Sequence, residues 1–88
     1  MGSLGFVEVK GIVAMNEAAD AAVKAADVTL RKKISVGAGL MTIVFSGDIG
    51  AVKTAVDVAI TAAKRVGDVS GFYIIARPTE ELQAFLAL

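Results

Sequence analysis

The spacing of apolar residues switches from a two-residue period to a 3.6-residue period and back, and then does so again, which leaves few folds open to a chain of 88 residues. Residues 4–9 alternate as a half-buried strand does, and past Lys10-Gly11 residues 12–27 take up the helical period. In that helix Asn16, Glu17, Asp20, Lys24 and Asp27 share one arc of about 100°. Met15, Ala18, Ala19, Ala22, Val23, Ala25 and Ala26 are left for the packed side. Alternation returns over residues 28–36, with Val28, Leu30, Ile34 and Val36 on one side and Thr29, Arg31, Lys33 and Ser35 on the other. The link Gly37-Ala38-Gly39 is short and rich in glycine, so the continuous apolar run of residues 40–45 forms the second arm of a hairpin and a deeply placed strand.

The second switch begins at Gly47-Asp48. Asp48 suits the N-cap of a helix whose polar residues Lys53, Thr54, Asp57, Thr61, Lys64 and Arg65 again share one arc. Lys64 and Arg65 complement the dipole in its last turn, and Gly67 is placed for a C-terminal cap. Residues 69–76 supply a fourth strand that Pro78 ends, and Thr79 caps a short last helix reaching Leu86, with Glu80 and Glu81 in its first turn. The order β-α-β-β-α-β with a tail helix predicts an α+β, ferredoxin-like fold: an antiparallel sheet, two helices on one face and a short C-terminal helix. No linker or low-complexity tract interrupts it, so residues 1–88 read as a single domain. The sheet face without helices has to find cover elsewhere.

Composition indicates where. A domain of this size buries only about 60% of its unfolded surface, yet 56% of the residues are hydrophobic. The excess predicts burial against other subunits. A membrane explains it less well: the longest uncharged stretch, residues 34–47, falls short of the roughly 20 apolar residues of a span. The first residues lack the basic-then-apolar layout of a signal peptide, so the expected location is cytoplasmic. With no Cys and no His, the chain has no disulfide, thiol nucleophile, imidazole base or zinc set, and no catalytic residue, metal or cofactor is expected. Nine basic residues balance nine acidic ones, which gives no field to attract nucleic acid or anionic lipid and favours self-association. The middle strands also lack the paired aromatics on which RNA bases stack.

Five segments carry a more specific signal: Leu4-Gly5-Phe6-Val7-Glu8-Val9-Lys10-Gly11, Glu17-Ala18-Ala19-Asp20 through Lys24-Ala25-Ala26, Gly39-Leu40-Met41-Thr42-Ile43-Val44, Gly47-Asp48-Ile49-Gly50-Ala51-Val52, and Ile75-Ala76-Arg77-Pro78. In order and spacing, though in no single motif, they resemble the shell domain of bacterial microcompartments, the BMC domain, over residues 4–78. One copy in unpermuted order implies the hexamer-forming class. The resemblance implies a structural protein whose homohexamers tile into sheets with themselves and other shell proteins. It also implies a central pore for small polar metabolites and contact with the targeting peptides of cargo enzymes.

Asp20 and Lys24, one helical turn apart, would on their own form an exposed ion pair, which water screens to a weak contact. Arg77 alone would be a solvated arginine at a strand end. The resemblance implies instead that Lys24 stands on the hexamer edge with Asp20, and that Arg77 reaches across that edge, where its five donors suit several backbone carbonyls. It places Gly37, Ala38 and Gly39 around the pore. Ala38 and Ser35, where relatives carry serine and lysine, make that lining less polar, and Ser46 stands where relatives often have arginine. As a phosphate loop the glycine turn is weak, because a strand follows it. Gly47-Asp48-Ile49-Gly50 is better explained as a helix cap than as an anion site, since Asp48 would repel an anion. The alternative from another class is a small-ligand-sensing regulatory module on the same layout. An enzyme is the weakest reading, since Asp, Glu and Lys would have to do all the chemistry.

Overall fold

Among residues 2–88, which the computed structural model describes, the chain forms β1 (Ser3–Lys10), α1 (Ile12–Ala25), β2 (Thr29–Gly37), β3 (Leu40–Gly47), α2 (Ile49–Lys64), β4 (Asp68–Ile75) and α3 (Glu80–Phe85). Met1, counted in the expected domain, lies outside the described residues. The strands make one antiparallel sheet in the order β2-β3-β1-β4. Each long helix therefore carries the chain over one intervening strand: α1 from β1 past β3 to β2, and α2 from β3 past β1 to β4. This is the ferredoxin-like α+β layout that the two period switches predict.

Strand alternation selects the core. Val7 and Val9 of β1 and Ile43 and Phe45 of β3 are fully buried, and they pack with Ala14, Met15, Ala18, Ala19 and Ala22 of α1 and Val52, Ala55, Val56, Ala59 and Ala63 of α2. Alanine dominates both helical stripes, and small residues at a contact let helices and sheet approach closely. The larger strand side chains then supply most of the apolar burial, roughly 1.5–3 kcal/mol for each one fully covered. On the helix-free face Leu4 and Val44 are also fully buried, but Phe6 is half-buried and Tyr73 is 65% exposed. The missing cover expected from the sequence is thus confined to the middle of that face and its β4 side.

Three local expectations are corrected. In β2 the side-chain alternation does not run unbroken, because a bulge between Leu30 and Lys32 shifts the register. Val28 and Leu30 pack against the core, but beyond the bulge Lys33 stands opposite Ile43 on the helix face and Ile34 opposite Thr42 on the other. The Lys33 ammonium consequently reaches α1 and donates to Asn16 Oδ1 at 3.2 Å. Second, α1 stops at Ala25 instead of Asp27: Ala26 is extended (φ −141°), and Val23 and Ala25 are exposed, not packed.

The third correction concerns the ends of α2. Asp48 occupies the N-cap with extended backbone, but its side chain makes no capping bond; its carbonyl accepts the first helical bond, from the Val52 amide at 2.9 Å. Gly67 is not a left-handed cap, since positive φ occurs among the described glycines only at Gly11, Gly37 and Gly39. The helix closes on tight bonds from the Arg65 and Val66 amides to the Ala62 and Ala63 carbonyls, at 3.3 and 3.1 Å. Gly67 serves packing instead: a β-carbon there would lie 2.9 Å from Ala14 Cβ and 3.0 Å from the Lys10 carbonyl. Thr79, by contrast, caps α3 as expected, its Oγ1 accepting from the Leu82 amide at 3.1 Å.

Gly67→Ala separates the two roles. At a cap with negative φ the change would be neutral or stabilising through the unfolded chain, whereas against a backbone carbonyl it lowers the unfolding free energy by about 1–3 kcal/mol. We expect the loss, measured by denaturant unfolding.

Candidate functional site

The pairing register assigns the residues of interest to two opposite ends of the sheet. At one end Lys10 pairs with Leu40, and Leu40 with Gly37, so the β2–β3 turn lies there. At the other end Ser3 pairs with Gly47 and Thr29 with Ser46. Because α1 starts beside Lys10 and runs back, its last turn, carrying Lys24, arrives at the Ser3–Gly47 end, where the Asp27 carbonyl and Val28 lie against Gly47. Arg77 follows β4 at that same end, where Leu4 pairs with Ile75. Seven strand steps separate the ends, about 24 Å at 3.4 Å per residue, in a flattened body of 33 × 27 × 16 Å.

The turn itself is tightly specified. Gly37 closes β2, and the two linking residues, Ala38 and Gly39, both have positive φ, 54° and 77°, the pattern of a type I′ hairpin turn that follows the natural twist of the strands. Gly39 takes this conformation without steric cost, while Ala38 holds it at roughly 1–2 kcal/mol. The Gly39 carbonyl accepts the Gly11 amide at 2.8 Å, which ties the turn to the entry of α1. All three turn residues are exposed, and no atom lies within 4 Å of where side chains on Gly37 and Gly39 would begin.

At the opposite end Lys24 Nζ donates to Asp20 Oδ2 at 2.9 Å, with the two side chains 73% and 60% exposed. The hydrogen bond to Asp20, and then its charge, hold the Lys24 ammonium above the ordinary 10.5, with Glu17 adding a smaller push in the same direction. Arg77 is exposed in the bend after β4. That bend is fastened by a contact with no advance signal in the sequence: Ser3, 3% exposed, donates through Oγ to the Ala76 carbonyl at 2.9 Å. Ser46 is buried, and Arg31 at the β2 bulge donates to its hydroxyl at 3.4 Å, so an arginine reaches this position from a neighbouring strand. Gly11, which the sequence marks only as a change of period, has a positive φ of 95° and donates its amide to the Gly39 carbonyl, anchoring the turn.

Among the described residues no three His, Cys, Asp or Glu side chains are grouped to hold a metal ion, and no helix is long and apolar enough to cross a membrane. The geometry defines a flat α+β domain of the ferredoxin-like class, with an exposed glycine turn at one end of its sheet and an exposed lysine and arginine at the other. Comparison makes this particular. Residues 3–78 match the family profile of the BMC domain, and the chain belongs to that family. It is 45% identical over 84 residues to the bacterial microcompartment shell protein PduA of Citrobacter freundii, covering 96% of this chain and 90% of that one. The shell protein EutM of Escherichia coli is 42% identical over 94% of this chain and 86% of its own. The carboxysome shell protein CsoS1C of Hydrogenovibrio crunogenus is 45% identical over 98% and 85%. A solved microcompartment protein from Desulfitobacterium hafniense superimposes with a TM-score of 0.86 at 35% identity over 99% of this chain, which spans about half, 48%, of that longer one. The role this supports is structural, in the shell of a bacterial microcompartment within the cytoplasm, and not enzymatic.

The Lys24–Asp20 pair has a directional pH signature. A lysine raised in the folded state contributes its stabilisation fully below the unfolded value and loses it as pH rises through the folded one, so the contribution disappears only above about 10.5. Asp20→Asn should therefore lower the titration midpoint of Lys24, read by side-chain NMR titration, and should remove the pair's small contribution to stability at neutral pH, where it is fully present, but not above the midpoint, where it is already lost.

Proposed function

We propose that residues 1–88 act as one shell domain that closes into a cyclic homohexamer around the Gly37-Ala38-Gly39 turn and tiles through Lys24, Arg77 and Asp20. The observation that carries this reading is the placement of the turn and the exposed cations at opposite ends of one sheet, about 24 Å apart. In a ring of inward-pointing wedges one end meets the axis and the other forms the rim. The neighbours at that rim are further copies and other shell proteins, and the assembled surface receives targeting peptides of cargo enzymes.

Around the axis, six turns would present exposed backbone groups and six Ala38 methyls. Backbone amides gathered at one point favour small polar or anionic solutes, while Ala38 in place of a hydroxyl-bearing residue makes the opening less polar. Nothing in the structure favours the ligand-sensing alternative: the depressions of the surface lie open to solvent.

Native mass measurement should give six chains of 9.0 kDa each, and electron microscopy should show flat sheets or tubes. Lys24→Ala and Arg77→Ala should leave the hexamer mass unchanged and abolish the sheets; sheets of normal extent from both variants would remove these residues from the tiling contact. Ala38→Leu should slow metabolite flux through assembled shells without altering hexamer mass, and unchanged flux would count against the pore.

A further inference from the structure

Arg77 stands in a short segment between β4 and α3 that has little backbone support. Ala76 and Arg77 form a bend, and among the described residues no turn or cap bond of the backbone reaches residues 76–78. Two side chains hold the segment instead. Ser3 Oγ donates to the Ala76 carbonyl at 2.9 Å, and Gln83 Nε2 donates to the Pro78 carbonyl at 3.2 Å. The carbonyls of the residues immediately before and after Arg77 are thus both fixed. Neither anchor is loose. Ser3 is buried on β1, which is hydrogen-bonded along both edges, and Gln83 is half-buried on α3, whose start the Thr79 side chain caps. The proline ring removes further freedom, because it fixes its own φ and keeps Arg77 out of the helical region.

We propose that Ser3 and Gln83 are positioning residues for the Arg77 contact: together they clamp the peptides on either side of Arg77 and present its guanidinium outward to the neighbouring shell unit. This rests on the tiling reading above and deepens it by naming what aims the arginine.

A cation at this place has competing partners close by. Glu80 and Glu81 follow three and four positions on and are both exposed, so an arginine whose backbone joined α3 would share a face with them. Among the described residues Arg77 pairs with neither; the salt bridge that forms is Lys24–Asp20. Holding the backbone of residues 76–78 extended keeps the guanidinium away from these carboxylates, with its five donors free for a partner. It also orders the segment in advance, and ordering a loop at the moment of contact weakens association. Stability of the fold alone explains the clamp less well. Ala76 is exposed, so water can replace the Ser3 hydroxyl at its carbonyl and the fold loses little.

The test uses the full chain carrying Ser3→Ala, Gln83→Glu, or both; Gln83→Glu keeps the shape of the side chain and exchanges its donor for an acceptor. All three should keep the wild-type hexamer mass and unfold at nearly the wild-type temperature. The protein concentration at which flat sheets appear should rise roughly 2- to 10-fold for each single variant, the equilibrium factor of one hydrogen bond, and the double variant should match Arg77→Ala. Ser3→Thr, which keeps the hydroxyl, should retain wild-type assembly. Because the chain has no cysteine, a nitroxide on Arg77→Cys reports the segment without any need for assembly. Its spectrum should sharpen when Ser3→Ala or Gln83→Glu is added. A normal threshold in the double variant, or a spectrum that neither substitution changes, would overturn the clamp while leaving tiling through Arg77 intact. Loss of the hexamer in Ser3→Ala would show a role in the fold and overturn it too. Sheets of normal extent from Arg77→Ala would overturn the tiling reading and this inference with it.

Discussion

Strand β1 is hydrogen-bonded along both edges, to β3 from Ser3–Gly47 to Lys10–Leu40 and to β4 from Leu4–Ile75 to Lys10–Asp68. With its two edges occupied, β2 and β4 must take the outside of the sheet, and α1 and α2 must cross over their neighbours on one face. The same pairing fixes direction. Because β1 and β3 run opposite ways in a nearly unbroken register, the β2–β3 turn has to lie beside Lys10, and the ends of α1 and β4 have to return to Ser3. A one-residue slip would turn Val7 and Val9 away from the helices, so burial of these side chains holds the register that separates the two ends.

The helical layer explains why the domain stays thin and leaves apolar surface bare. Stripes of alanine allow close approach but bring little apolar area, so the stability of the core rests on a few strand residues, among them Ile43 and Phe45. Two helices also cover only one face. The middle of the other face, with Phe6 and Tyr73, and the first turn of α1, with Ile12 and Val13, remain exposed in the isolated chain. A small domain with this imbalance gains most by association, which agrees with membership of a family whose relatives are shell proteins. The β2–β3 turn follows the same economy of space: two residues with positive φ make the tightest hairpin, at the cost of holding Ala38 in the left-handed region.

Much of the fold is written in short-range patterns. Element order and most boundaries follow from periodicity, and the Thr79 cap from local chemistry, because a helix or strand face is set by spacing alone. The candidate residues were legible for a different reason: Lys24, Arg77 and the Gly37-Ala38-Gly39 turn stand out through family-like spacing, not through any chemistry visible in isolation. Lys33 and Ile34 show where such patterns fail. Their faces are exchanged by the bulge after Leu30, and a bulge is decided by the fit of β2 onto β3, which no count along one strand contains. Gly67 fails in the same way. Its position after a helix indicates a cap, but its use is to let Ala14 and the Lys10 carbonyl come close, a contact between residues more than fifty positions apart.

The sequence by itself determined the α+β class, the absence of His and Cys chemistry, the glycine turn and the surplus of apolar residues, since each depends on composition or on neighbours a few positions away. Only the tertiary structure decided that this turn and the Lys24–Asp20 pair occupy opposite ends of one sheet, that Ser3 fastens the segment bearing Arg77, and that apolar side chains stay exposed both on the helix-free face, at Tyr73, and at the start of α1, at Ile12 and Val13. These are relations between distant parts of the chain, and they exist only once strand pairing has set the direction of every element.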